Sequence, residues 1–167
     1  SRTDNLGALE FDGSNDRIDL GAVFSLQGSV NFIMECFVKI NSAGSDNAGI
    51  IESFSSSTNR WIWYYDDGSL NQFGFHDGSW NGILNSGINP TIGKWTHLLI
   101  SRSGNTFKSY VNGNNVQTVT VSKSFPSSNN VRIGSNSNAG EYLNGNIAIA
   151  KVYNRALTAT EIQQNYN

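Results

Sequence analysis

The stretch KWTHLLISRSGNTFKSYVNGNNVQTVTVS (residues 94–122) decides the fold class of this chain. Apolar and polar residues alternate along three segments of it, which is the period of a half-buried β-strand. The segments are separated by Ser-Gly-Asn at 103–105 and by Asn-Gly at 112–113. An Asn-Gly pair between alternating segments is the strongest short hairpin signal. The stretch therefore predicts three antiparallel strands joined by two tight turns.

The same alternation continues through most of the chain. The 23 Asn and 17 Gly residues favour tight turns between many short strands. Roughly eleven strands at short spacing are typical of a β-sandwich or barrel. The predicted strands are 8–11, 17–20, 31–40, 49–54, 60–65, 70–76, 94–103, 106–113, 115–122, 130–134 and 146–154.

One short helix is predicted at the end of the chain, and no helical period precedes residue 158. Thr158 and Glu161 form the capping box Thr-x-x-Glu, and Leu157 and Ile162 form a hydrophobic staple around it. A helix this short is unstable alone in water. We therefore expect it to dock its Leu157 and Ile162 side on the sandwich as a structural lid.

Composition and charge exclude several classes of protein. Charged residues make up 14% of the chain and the formal net charge is −2, with no basic stripe, so we expect no nucleic-acid partner. No apolar run approaches the length of a membrane span, so we expect no membrane insertion. Cys36 is the only cysteine, which excludes an intrachain disulfide. We expect residues 1–7 to be a linker from a larger protein and 8–167 to form a single domain.

Several segments together resemble the laminin-G-like, concanavalin A-like lectin and glucanase modules. ALEFDGSNDRIDLG resembles their opening strand pair, and YLNGNIAIAKVYNRALTATEI resembles their closing strand and capped helix. VNFIMECFVKI and GKWTHLLISRSGNTFKSYVNG resemble two of their central segments. The resemblance spans residues 8–166 and implies an all-β, two-sheet antiparallel jelly-roll sandwich with one short C-terminal capped helix. This fold hosts lectins, adhesins, enzymes and structural modules, so it does not by itself name a ligand.

The resemblance also raises the question of a metal, because many members hold a structural calcium near the opening turn and the last strand. Asp12, Asn15 and Asp16 are the candidate ligands in this chain. The acidic position of the family's last strand is Ala148 here, which removes one carboxylate. The alternative is an Asx-turn, in which the same side chains bond their own backbone. We favour the Asx-turn, so no cofactor is required, and Ca²⁺ stays an open alternative.

No constellation in the sequence predicts catalysis. Glycanases on this sandwich carry two closely spaced carboxylates on one strand, which flank the sugar bond. The five Glu residues include no such pair, and neither His76 nor His97 has metal-binding spacing. Cys36 lies on an apolar strand face and is expected to be an inert core thiol. We therefore expect the chain not to be an enzyme.

Aromatic residues in 59–82 are the first candidates for ligand binding. Trp61, Trp63 and Tyr65 share one face of a predicted strand, and Ile62 and Tyr64 share the other. If the first face pointed outward, an exposed aromatic row would mark a ligand site. The alternative is that Trp61 and Trp63 lie in the core. Tryptophans in strands are more often buried than exposed, so we favour this interpretation for both.

Two loops supply the other candidates. Trp80 lies in the polar loop HDGSWNG and is either a plug against the sheet or a stacking platform for a sugar. His76, Asp77 and Asn81 beside it would supply hydrogen bonds. The loop 134–142 offers a second rim through Asn136, Asn138 and Glu141, and the alternative of an ordinary solvated connection is favoured there.

These features predict a non-catalytic recognition module, carbohydrate-binding or adhesive, at the surface or fibre tip of a larger protein. The chain has no Asn-x-Ser/Thr acceptor, which points to a bacterial or viral source. We expect the module to be extracellular, at a cell or virion surface. The expected partner is a glycan or another cell-surface ligand, with homo-oligomers formed through the parent protein. The alternative is a structural or oligomerisation module of a fibre with no sugar ligand.

Overall fold

The computed structural model describes residues 7–42, 47–66, 72–78, 82–127, 130–137 and 140–166. Nearly all of the regular structure in these residues is β-strand, followed by one helix. The strands are β1 (Leu9–Asp12), β2 (Ile18–Gly21), β3 (Phe32–Ile40), β4 (Ala48–Phe54), β5 (Arg60–Asp66), β6 (Gln72–Asp77), β7 (Gly82–Asn85), β8 (Trp95–Ser103), β9 (Thr106–Val111), β10 (Asn114–Thr120), β11 (Val131–Ile133), β12 (Ser135–Asn136), β13 (Glu141–Tyr142) and β14 (Asn144–Tyr153), and the helix is α1 (Ala159–Tyr166).

The strands form two six-stranded antiparallel sheets and a small ribbon. Sheet 1 has the order β1-β14-β3-β8-β9-β10, and sheet 2 has the order β2-β11-β4-β5-β6-β7. β7 contacts β9 and β10, so β1 and β2 lie together on the opposite side of the sandwich. β12 and β13 form the ribbon. The prediction of an antiparallel jelly-roll sandwich with a short C-terminal helix is confirmed.

The main core lies between the two sheets and follows the predicted alternation. Phe32, Met34, Cys36, Val38 and Ile40 all point into it from β3. Cys36 is fully buried there, and burial raises the pKa of its thiol well above the usual value. A thiol that stays protonated is a poor nucleophile, which agrees with an inert core residue.

The predicted turn at 112–113 is confirmed. Asn112 and Gly113 have φ angles of 50° and 76°. Two successive positive φ angles are the signature of a type I′ hairpin, whose twist matches that of the flanking strands. The turn also supports the helix, because Gln163 Nε2 donates a hydrogen bond of 2.6 Å to the Gly113 carbonyl.

Helix α1 is capped and docked as predicted. The Glu161 N–H donates to Thr158 Oγ1 at 3.2 Å, and the Thr158 N–H donates to Glu161 Oε2 at 2.8 Å. Ile162 and Leu157 pack against Ile33 and Leu99 on the outer face of sheet 1, forming a second apolar cluster. Among the described residues, no helix has both the length and the apolar character needed to span a bilayer.

Three of the strands were not predicted. β12 and β13 contain two residues each, which is too short for alternation to be detected, and β7 lies in the Gly- and Asn-rich stretch 77–93. β6 begins at Gln72 instead of 70, and residues 67–71 lie outside the described part of the chain.

Candidate functional site

The predicted aromatic row is part of the core. Trp61, Trp63 and Tyr65 are at most 2% exposed and belong to the cluster between the sheets. Trp61 packs against Phe75 with ring centroids 6.3 Å apart. The hypothesis that this row binds a ligand is therefore wrong, because no ligand can reach these rings in the folded chain. The favoured alternative for Trp61 and Trp63, core burial, is correct.

The opposite face of β5 is also covered. Ile62 and Tyr64 point away from the main core, yet both are buried. Burial and the nearby Asp66 carboxylate raise the pKa of the Tyr64 hydroxyl to about 12. The strand therefore offers an open ligand surface on neither face.

His76 is a buried residue of this outer face and not an exposed hydrogen-bonding group. It is 2% exposed, and its ring lies 5.2 Å from that of Tyr64. Its Nδ1 contacts the backbone carbonyl oxygen of Asp77. Burial lowers the pKa of His76, so the imidazole is neutral at pH 7. The prediction that His76 contributes to an accessible ligand site is wrong, since its side chain is enclosed.

Asp77, the last residue of β6, forms an ion pair. Its Oδ2 is 2.8 Å from Lys123 Nζ, and the pair is partly buried. The Lys123 carbonyl accepts hydrogen bonds from Ser29 and Arg102, which connects the end of β6 to the segment before β3 and to the end of β8. Trp80 and Asn81 lie outside the described residues, so their role as a stacking platform or plug stays a prediction.

The second predicted rim is a buried polar network. Asn136 is fully buried, and its amide oxygen accepts a hydrogen bond of 3.0 Å from Arg60. Its Nδ2 donates to Glu141 Oε2 and to the Asn47 carbonyl, at 2.6 Å and 3.1 Å. Asn136 therefore holds the β12–β13 ribbon on sheet 2, and its proposed role in ligand binding is wrong. Asn138 lies outside the described residues.

The ribbon closes over the outer face of sheet 2. The Ser135 carbonyl approaches Gly49 so closely that any Cβ added there would clash with it. Beneath the ribbon, Glu52 of β4 pairs with Ile62 of β5, and Ile62 pairs with His76 of β6, so the three side chains lie in one row across the sheet. Glu52 is fully buried, and Oε1 accepts hydrogen bonds from the backbone N–H (2.9 Å) and the hydroxyl of Ser137. Burial raises the pKa of Glu52, and the Ser137 hydrogen bonds offset part of that rise.

The opening turn has the geometry of an Asx-turn. Asp12 Oδ1 accepts hydrogen bonds from the Ser14 N–H at 2.8 Å and the Asn15 N–H at 3.4 Å. Asp16 Oδ2 accepts from the Asp12 N–H at 3.0 Å. Each carboxylate thus commits one oxygen to the backbone, whereas Ca²⁺ takes six to eight oxygen ligands. The described residues include no cluster of three or more His, Cys, Asp or Glu side chains.

The structure also contains a groove that the sequence did not indicate. It has a volume of about 850 Å³ and lies between the segment leading from β2 into β3 and the end of β14. The segment 22–31 shows neither helical nor strand periodicity, so no local pattern pointed to it. The residues lining the groove are Val23, Phe24, Ser25, Leu26, Val30, Asn31, Phe32, Val152, Tyr153 and Asn154.

The topology explains why the groove is open. β1 pairs with β14 only along Asn144–Ile147, although β14 continues to Tyr153. Val152 pairs with Met34, whose side chain points into the core, so Val152 faces the same way. It is nevertheless 37% exposed, because β1 ends before it and no described strand pairs with it on the side away from β3. Val23 and Val30 are 58% and 43% exposed on the opposite wall.

The groove and the predicted Trp80 loop lie at the same end of the sandwich. Trp61 pairs with Asp77 at the end of β6, and Phe24 of the groove packs on the Trp61 ring with centroids 5.9 Å apart. Ser29, beside the groove residue Val30, bonds the carbonyl of Lys123, which in turn pairs with Asp77. The groove and the end of β6, which the predicted Trp80 segment follows, therefore lie at one end of the molecule.

Comparison with known proteins identifies the fold independently. A family model described as the concanavalin A-like lectin/glucanases superfamily, with the family name Laminin_G_3, matches residues 12–163. No curated protein sequence matches the chain.

Solved structures resemble the sandwich over almost its whole length. Domain 4 of an extracellular arabinanase from Geobacillus stearothermophilus, in complex with arabinotriose, superposes with a TM-score of 0.80 at 17% identity, covering 96% of this chain and 76% of that one. A SAP-like pentraxin from Limulus polyphemus gives 0.71 at 18% identity, covering 95% and 80%. Trypanosoma rangeli sialidase in complex with sialic acid gives 0.71 at 17% identity, covering 99% of this chain and 28% of the sialidase. At these identities the likeness shows the fold alone.

Proposed function

The chain belongs to the concanavalin A-like lectin/glucanase superfamily, and from this premise we propose that it is a non-catalytic carbohydrate-recognition module of a larger extracellular or surface protein. The superfamily name covers both sugar binding and sugar cleavage, so the choice between them has to come from the carboxylates of this chain.

The burial of Glu52 carries the proposal. A glycanase needs two carboxyl groups that reach the sugar bond from an open cleft, about 5 to 10 Å apart. Glu52 is a fully buried carboxylate on β4, one of the two central strands of sheet 2, and the β12–β13 ribbon encloses it. Glu35, the corresponding carboxylate of sheet 1, lies beneath α1 and is also fully buried. Neither can act as an acid or nucleophile on a polysaccharide in this conformation, which favours binding.

The neighbouring structures support carbohydrate as the ligand class. The arabinanase domain was solved with arabinotriose and the sialidase with sialic acid. The groove beside β14 and the loop after Asp77 give this chain two adjacent places where a glycan could bind.

A glycan array combined with a hydrolysis assay tests the proposal. The purified domain, presented on a multivalent scaffold, should bind at least one glycan class and should release no reducing sugar from it. A glycan that is bound and cleaved would contradict the non-catalytic assignment, and the Glu52→Gln variant would then show whether Glu52 is responsible. Absence of binding to every glycan would contradict the recognition assignment.

A second candidate function is assembly, and one specific observation favours it. Of the eight large hydrophobic residues that are exposed in the described chain, five lie along the side of the sandwich formed by β1, β2 and the end of β14: Leu9, Leu20, Val23, Val30 and Val152. Exposed apolar patches often mark contacts between chains. Sedimentation velocity over a range of concentrations tests this candidate, since an assembly module should form a defined oligomer.

A further inference from the structure

We propose that the groove between residues 23–32 and the end of β14 is a subsite for a neutral sugar, held by Phe24 and by the amides of Asn31 and Asn154. This inference rests on the proposed recognition function and adds to it a location and a ligand class. The loop after Asp77 is the competing location.

The walls of the groove suit the apolar face of a sugar ring. A ligand site is typically concave and mostly apolar, with a few placed polar groups, in a volume of about 300 to 1,000 Å³. The groove has about 850 Å³ and exposes Val23, Val30 and Val152 beside the aromatic side chain of Phe24. Phe24 rests on the buried Trp61 ring. The Phe24 ring is therefore fixed before a ligand arrives, which lowers the entropic cost of binding.

Two amides at the groove are placed to donate hydrogen bonds. Asn31 Oδ1 accepts a hydrogen bond of 2.8 Å from the Gly104 N–H. This bond fixes the plane of the Asn31 amide and leaves its NH₂ group as a donor. Asn154 is exposed and makes no hydrogen bond through its side chain within the described part of the chain. A sugar hydroxyl accepts from such groups, whereas an aliphatic protein contact would leave them unsatisfied.

The charge of the groove decides the class of sugar. None of its ten lining residues is charged. A carboxylate or sulfate buried against valine and phenylalanine without a cationic partner would lose its hydration without compensation. Acidic sugars are usually held by Arg or Lys. The groove therefore selects neutral sugars over sialic or uronic acids.

Paired variants on the surface test the location. Asn154→Ala removes one donor and should weaken binding about fivefold, the effect of one neutral hydrogen bond. Val23→Asp places a negative charge in the groove and should weaken binding of a neutral glycan more than tenfold. The matched controls are Asn89→Ala and Ile88→Asp, because Asn89 and Ile88 are exposed on a different loop. Equal melting temperatures for all four variants would show that each is folded.

The measurement is a glycan array with the wild-type domain, followed by titration calorimetry with the strongest array ligand and each variant, including Trp80→Ala. A neutral ligand that binds more weakly to both groove variants by the expected factors, and equally well to both controls, supports the inference. The inference is overturned if binding is lost only in Trp80→Ala, if the groove variants bind as well as the wild type, or if the domain prefers acidic glycans. The recognition function would still stand in each of these cases. A blank array overturns both. If Val23→Asp converted an oligomer into a monomer, the groove wall that contains Val23 would be a protein interface, and the inference of a sugar subsite would be wrong.

Discussion

Glu35 lies in a buried polar cluster beneath α1, on the outer face of sheet 1. Its Oε1 is 3.2 Å from His97 Nε2 and 3.7 Å from Lys151 Nζ, and its Oε2 accepts a hydrogen bond of 2.7 Å from Asn165 Nδ2. Burial acts to raise the pKa of Glu35, but the hydrogen bonds from His97 and Asn165 and the Lys151 charge outweigh it, so the pKa is lowered. The ionised carboxylate thus joins β3, β8, β14 and α1.

A lowered pKa makes this cluster acid-sensitive. A carboxyl that titrates lower in the folded than in the unfolded chain stabilises the fold above its unfolded pKa, and that stabilisation is lost as the pH falls through the folded pKa. We expect the free energy of unfolding, measured by urea titration, to fall as the pH drops below about 4.3, the usual pKa of Glu. Glu35→Gln should lower the free energy of unfolding at pH 7 by about 1 to 3 kcal/mol and flatten the acid decline.

The exposed Glu10 provides the control for Glu35. Glu10→Gln should leave the free energy of unfolding at pH 7 unchanged within about 0.5 kcal/mol. If Glu35→Gln kept the full acid decline of the wild type, another carboxyl would be responsible and the role given to Glu35 would be wrong.

At the scale of single residues, the sequence predicts the burial of a side chain well when it follows from the pattern of one strand. It predicts burial poorly when the side chain is bonded to residues of other elements. The placement of Cys36 in the core followed from alternation along β3 alone. The burial of Asn136 could not be predicted, because its partners Arg60, Glu141 and Asn47 come from three other parts of the chain. A polar side chain in a Gly- and Asn-rich segment has the same local pattern whether it faces solvent or closes a network.

At the scale of elements, the capping box of α1 gives a direct test. Thr158→Ala removes the side chain that accepts from the Glu161 N–H, and loss of an N-cap costs about 1 kcal/mol. We expect the free energy of unfolding in urea to fall by that amount. Thr91→Ala, at an exposed loop threonine, is the matched control and should change it by less than about 0.5 kcal/mol.

A larger loss would show that the cap also fixes the docking of the helix. In that case amide exchange along β3 and β8, which lie under Ile162, should accelerate together with exchange in α1. No change in Thr158→Ala would mean that the ion pair between Arg155 and Glu161 is sufficient to hold the start of the helix.

Elements whose turn or cap residues are adjacent in the sequence were predicted as the correct type of element, in the correct order along the chain. The hairpin at 112–113 and the helix after Thr158 are fixed by turn and cap chemistry that neighbouring residues carry by themselves. β12 and β13 were missed because two residues show no alternation, and β7 was missed because it lies in the Gly- and Asn-rich stretch 77–93, which has the composition of a turn. The ribbon matters most, since it closes the outer face of sheet 2 and changes which residues a ligand could reach.

At the scale of the whole molecule, the fold could be predicted and the site only in part. The aromatic row of β5 was correctly placed on one face, but alternation cannot tell which face is inward, and here both are covered. The groove arises because β14 is longer than β1. β14 continues for six residues beyond Ile147, the last residue that pairs with β1. No local pattern encodes such a mismatch, and it becomes visible only when both sheets are assembled.

Calcium dependence is also a property of the whole molecule, because it would require ligands from the opening turn and the last strand together. Asp12 and Asp16 each use one oxygen on backbone N–H groups, and Ala148 supplies no carboxylate. We therefore expect 1 mM Ca²⁺ to leave the melting temperature within about 1 °C of its value in chelator. A site with a dissociation constant near 10 μM would add about 2.7 kcal/mol, which for a chain of this size raises the melting temperature by about 5 to 10 °C. The two expectations differ enough for one calorimetric scan to separate them. A rise of several degrees in the wild type that is absent in Asp16→Asn would show that the turn binds calcium with ligands other than a residue 148 carboxylate.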